Sequence, residues 1–95
     1  MTGTIELPRT KEPGSGLDDN WRVIVLNDNH NTFEGVAFAL SSTLPGVSYD
    51  QGMSMANTIH SKGQAIVWTG NRERAEHYWE LLKESGLTMA PLEQG

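Results

Sequence analysis

Val23-Ile24-Val25-Leu26-Asn27-Asp28-Asn29-His30-Asn31-Thr32-Phe33-Glu34 is the stretch on which the fold turns. Its first four residues are apolar and rich in β-branched side chains, the composition of a buried strand. Five polar residues, Asn27 to Asn31, follow at once and favour a turn. A helix then begins: Asn31 stands in a capping position, and Glu34 three residues on suits a capping box. A fixed strand thus delivers a cluster of hydrogen-bond acceptors to a sharp corner beside an apolar helix face. Two readings follow. One is an ordinary strand-to-helix turn; the other is a small site for a cationic or hydrogen-bond-donating ligand.

The flanking chain extends this pattern. Trp21 to Leu26 reads as the first strand. A helix over Thr32 to Thr43 places Phe33, Val36, Ala37 and Leu40 on one face. Gly35, inside it, leaves room for close packing or for a ligand. Leu44-Pro45-Gly46 ends that helix, and Ser48 caps a second one running to Lys62. Met53, Ala56, Ile59 and His60 share a face of it, and Gly63 suits the residue just past its end. Gln64 to Thr69 reads as a second strand. Asn71 caps a third helix, Arg72 to Glu84, with Ala75, Tyr78, Trp79 and Leu82 as its apolar stripe. Leu87 to Leu92 reads as a last strand, and Pro91 assigns it to a sheet edge. The order β-α-α-β-α-β predicts a two-layer α/β (α+β) sandwich, with a three-stranded antiparallel sheet covered on one face by three helices.

Composition narrows the function. Ninety-five residues allow one domain. Residues 21–95 form it, with a core that supports several kcal/mol of stability. Met1 to Asn20, with Pro8, Pro13, Gly14, Ser15 and Gly16, reads as a flexible extension. No run approaches the ~20 apolar residues of a membrane span, and no secretory signal pattern is present, so a cytoplasmic protein is expected. There is no cysteine, which excludes disulfides, thiol catalysis and cysteine-based zinc sites. The formal net charge is −5, and the basic residues are scattered. That disfavours nucleic acid, whose binding draws on clustered Lys and Arg. Trp21, Trp68 and Trp79 are then core or sheet-face aromatics rather than base-stacking platforms.

His60 is the histidine that can meet the turn after the first strand. A neutral imidazole and two asparagine carbonyls present lone pairs suited to an ammonium group. The same set is poor for zinc unless Asp28 and His30 also converge. No serine stands in an elbow-type motif, which disfavours a Ser-His-Asp hydrolase and leaves a metal-dependent enzyme as the weaker alternative. His77, among charges, reads as a surface residue.

These residues carry a family resemblance. Val25-Leu26-Asn27-Asp28, then Asn31-Thr32-Phe33-Glu34-x-Val36, then Ile59-His60-x-x-Gly63-x-Ala65, resemble the ClpS family of N-degron adaptors. The close, Gly86-Leu87-Thr88-Met89-Ala90-Pro91-Leu92-Glu93, is similar to the plastid-like branch of that family. The resemblance implies an adaptor, not an enzyme, that binds the free N-terminus of proteins beginning with Leu, Phe, Tyr or Trp. It implies delivery of these to a Clp-type AAA+ unfoldase, through the N-domain of a ClpA- or ClpC-like partner, with no cofactor. By the same resemblance Asn27 and His60 accept hydrogen bonds from the α-amino group. Asn29 stands where many members place an Asp acting through water, and Asp28 adds negative charge. Val25, Leu26, Asn31, Phe33, Val36, Ala56, Ile59 and Thr88 would wall the apolar pocket. Glu73 matches an acidic position facing the unfoldase, while Tyr78 replaces a Lys found in some members. Phe33 stands in place of a flexible Met, and Ala56 and Thr88 in place of larger apolar residues. The competing expectation is a docking module with a ribosomal-stalk-like fold and no ligand pocket.

Overall fold

A computed structural model describes residues 20–95. Apart from Asn20, the expected N-terminal extension lies outside the described residues. The elements run β1 (Trp21–Leu26), α1 (Phe33–Thr43), α2 (Tyr49–Lys62), β2 (Gln64–Gly70), α3 (Arg72–Glu84), β3 (Thr88–Met89) and β4 (Glu93–Gln94). β1 is central. β2 pairs along one side of it, and β3 and β4 pair along the other, all antiparallel.

The fold class is the one expected, but the last strand is divided. Met89 and Thr88 pair with Val25 and Leu26, and Gln94 and Glu93 pair with Trp21 and Arg22. Between them, Ala90 still donates its N–H to the Ile24 carbonyl (3.1 Å). Pro91 has no N–H to give, so the ladder lapses and resumes after it. The sheet therefore counts four strands rather than three. β2 departs from regular pairing as well. Val23 faces Trp68 but Ile24 faces Ile66, leaving Val67 as an extra residue in a bulge. The bulge lets Val67 enter the core while Trp68 packs edge-on against Tyr78 of α3, with ring centroids 4.9 Å apart.

The core lies between sheet and helices. Val23 and Val25 from β1 meet Val36, Ala39 and Leu40 of α1, Ala56 and Ile59 of α2, and Ala75 and Leu82 of α3. Leu40 and Leu82 are fully buried. The three tryptophans are half-buried around this core; Trp79 also donates its indole N–H to the Ala90 carbonyl (2.7 Å). Two helix ends follow their local chemistry. Ser48 and Gln51 form a reciprocal capping box, and Asn71 accepts from the Arg74 N–H.

Two expectations about small or capping residues are corrected. Asn31 does not cap α1. Thr32 does, with its hydroxyl accepting from the Gly35 N–H (2.9 Å), because Asn31 is engaged elsewhere. Gly35 is also not the close-packing glycine. A Cβ there would meet only the Thr32 hydroxyl, whereas one on Gly52 would lie 2.7 Å from the Ala37 carbonyl oxygen and 3.0 Å from its Cα. Gly52 is thus where α2 crosses the backbone of α1.

Gly52→Ala should lower stability in urea unfolding by about 1–2 kcal/mol. Forcing two backbones apart costs up to ~3 kcal/mol, which outweighs the ~1 kcal/mol that alanine gains in helix propensity.

Candidate functional site

The site forms where the end of β1 meets the end of α2. Gly63 closes α2 in the left-handed region (φ 89°), a conformation a side chain resists. Its carbonyl accepts the Asn27 N–H at 2.9 Å. That bond fastens the first residue after β1 beside the last turn of α2, which carries His60. The juxtaposition expected of Asn27 and His60 therefore has a backbone cause.

Between these ends lies a cavity of about 40 Å³. Its floor is apolar and buried: Val25, Val36, Ala56 and Ile59. Leu26, Asn27, Asp28, Asn31, Phe33 and His60 complete its wall and mouth. Thr32 and Leu87 line it too, and neither was expected from sequence. Leu87, 5% exposed, stands where α3 gives way to β3. The apolar residue after Gly86 was its only sequence signal, and that signal does not distinguish a cavity wall from plain core. Thr88, expected in the wall, does not line the cavity. It pairs with Leu26 in the sheet and turns its hydroxyl to Asp28. Asn29 does not line the cavity either; it is exposed on the turn. His30 is likewise exposed. Among the described residues no three His, Cys, Asp or Glu side chains gather as a metal-binding group, so Asp28, His30 and His60 do not converge as one.

Asp28 organises the turn. One carboxylate oxygen accepts the N–H groups of His30 and Asn31, both at 2.8 Å. The other accepts the Asn31 side-chain amide (2.8 Å) and the Thr88 hydroxyl (2.7 Å). The Asn31 amide also donates to the Gly86 carbonyl (3.0 Å). Desolvation by burial pushes the Asp28 pKa up. The donors from the Asn31 backbone, Thr88, the Asn31 side chain and the His30 backbone outweigh it, and the group ends well below the usual carboxylate range. Asp28 is therefore a fixed negative charge at the mouth. The His60 ring meets the Phe33 ring edge to face, 5.2 Å between centroids and 60° between planes. Among the described residues, neither the Asn27 side-chain amide nor the His60 imidazole has a hydrogen-bond partner. A greasy floor, open acceptors and a fixed anion suit an ammonium group attached to an apolar side chain.

Glu73 stands apart, exposed in the first turn of α3. His77 is exposed, as expected.

Comparison with known proteins gives this geometry a family. The profile described as "ATP-dependent Clp protease adaptor protein ClpS" matches residues 17–93. The chain belongs to the ClpS family. Like its ClpS relatives it is an adaptor of a Clp protease and not itself an enzyme. The ClpS of Thermosynechococcus vestitus is 51% identical over 74 residues, which span 78% of this chain and 79% of that protein. The chloroplastic adapter CLPS1 of Chlamydomonas reinhardtii is 29% identical over 93 residues, covering 90% of this chain and 57% of that one. Among solved structures, Agrobacterium tumefaciens ClpS2 bound to L-phenylalaninamide superimposes with a TM-score of 0.73. It is 27% identical, and the match spans 82% of this chain and 99% of that one.

Asp28→Asn should cost about 1–2 kcal/mol at pH 7, since hydrogen bonds to a charged acceptor are lost. The folded pKa of Asp28 is depressed, so its stabilisation is present above the ordinary carboxylate value and is lost as pH falls towards the folded one. Urea midpoints of the two proteins should therefore differ at pH 7 and draw together below about pH 4.

Proposed function

We propose that the cavity binds the free α-amino group and the bulky apolar first side chain of N-degron proteins. On this reading the adaptor works in the cytoplasm and passes the bound protein to a Clp-type AAA+ unfoldase. The observation that carries it is the shared mouth: buried Val25, Val36, Ala56 and Ile59 below, unpartnered Asn27 and His60 acceptors above. The likeness to an adaptor bound to L-phenylalaninamide supports it, because that ligand joins an amino group to a benzyl side chain.

Asn27 and His60 accept directly from the ammonium. Asn29, exposed one residue beyond Asp28, acts through water. Asp28 contributes its charge through space, since both its oxygens already hold two donors each. The void holds on the order of three waters. A bulky side chain displaces them and shifts Phe33, the half-buried first residue of α1. Burying a Leu or Phe side chain contributes ~1.5–3 kcal/mol, and each hydrogen bond to the ammonium ~1.5–3 kcal/mol before desolvation. Neither half alone approaches the roughly −8 kcal/mol of micromolar binding. A free N-terminus with an apolar first residue supplies both. Glu73, exposed on α3, is the proposed contact with the N-domain of a ClpA- or ClpC-like unfoldase.

Fluorescence anisotropy with peptides led by Leu, Phe, Tyr or Trp, each free and N-acetylated, tests the proposal. Free peptides should bind, and acetylation should weaken binding by about a hundredfold, two charge-assisted hydrogen bonds being lost. Asn27→Ala or His60→Ala should each cost about tenfold, and the pair together should abolish binding. Equal affinity for free and acetylated peptides, or no affinity for either, overturns the proposal.

A further inference from the structure

We propose that Thr88 is a positioning residue for the amino-group site: its hydroxyl, together with the Asn31 amide, latches the recognition turn to the α3–β3 segment. The inference rests on the reading just given and deepens it.

The hydrogen bonds around Asp28 fall into two kinds. Those from the His30 and Asn31 N–H groups and from the Asn31 side chain span two or three residues. They give the turn its shape but do not place it against the rest of the fold. Two others span the chain: Thr88 Oγ1 to Asp28 Oδ2, sixty residues apart, and Asn31 Nδ2 to the Gly86 carbonyl, fifty-five apart. Thr88 is itself anchored, because it pairs with Leu26 in the sheet. Its hydroxyl therefore ties Asp28 to a rigid element at 2.7 Å. Asn27 precedes Asp28 directly and is held on its other side by the Gly63 carbonyl. The turn bearing the acceptors is thus clamped at both ends, by α2 through Gly63 and by the α3–β3 segment through Thr88 and Gly86. A rim held this way presents its lone pairs without an ordering cost when the ligand arrives. Thr88 does not line the cavity, so it acts through Asp28 and not by contact.

Thr88→Val keeps the shape and removes the hydroxyl, whereas Thr88→Ser keeps the hydroxyl. Binding of a free Phe-led peptide is measured by anisotropy for both, for Asp28→Asn, and for the double variant Thr88→Val/Asp28→Asn. All are assayed well below their melting temperatures. Thr88→Val should weaken binding by about tenfold, the equivalent of one hydrogen bond to a charged group. Thr88→Ser should remain within about twofold of the unsubstituted chain, since the donor is retained. In the Asp28→Asn background, Thr88→Val should change affinity by less than about twofold, because coupled residues do not add. Unchanged affinity in Thr88→Val overturns the inference, as does a lowered melting temperature with no change in binding. Additive losses in the double variant overturn it as well. Failure of the unsubstituted chain to bind any free-amine peptide sinks the proposed function and the inference with it.

Discussion

The Asn27 backbone N–H and the Gly63 carbonyl share one hydrogen bond, and the proposed site depends on it. It joins two segments that arrive from different directions: the first residue after the central strand and the residue that caps the second helix. Gly63 makes the join feasible, because its left-handed backbone turns the chain from α2 into β2 and leaves its carbonyl free to accept. Everything functional is distributed around that point. The apolar floor lies beneath it, His60 stands in the last turn of α2, and the Asp28 turn follows β1.

The charge arrangement has its own logic. A cation could be held by a bare carboxylate, but such a site would accept any cation. Here the carboxylate of Asp28 is saturated by four donors and serves as turn scaffold and distant field. On the proposed reading, direct contact falls to the Asn27 and His60 acceptors, whose lone pairs are few. Acceptors of this kind discriminate by geometry, and in the proposed function their contribution suffices only when an apolar group is buried at the same time. The proposed selectivity is then a joint property of amine and side chain rather than of charge.

Much of the fold was legible because it rests on local rules. The apolar period of α1 and α3, the Ser48 and Asn71 caps and Gly63 beyond α2 are each decided within a few residues. Where the reading went astray, a distant partner had intervened. Asn31 is a good cap in isolation, yet Asp28 and Gly86 claim its side chain and Thr32 caps instead. Gly35 looked like the contact glycine, but contact is a property of two helices, and α2 supplies Gly52. The bulge at Val67 is a feature of the β1–β2 register, which involves both strands.

By itself the sequence determined which segments are helix and strand, the polar turn at the end of β1, and a motif shared with adaptors of the Clp protease. Periodicity, capping and turn chemistry act over three or four residues and need no partner. Tertiary structure alone decided that Leu87 rather than Thr88 walls the cavity, and that Thr88 instead reaches Asp28. It also decided that the last strand, broken at Pro91, resumes pairing with β1 at Glu93 and Gln94. Neighbouring residues near a sheet edge point in different directions, and which one faces a cavity depends on pairing with a strand some sixty residues away.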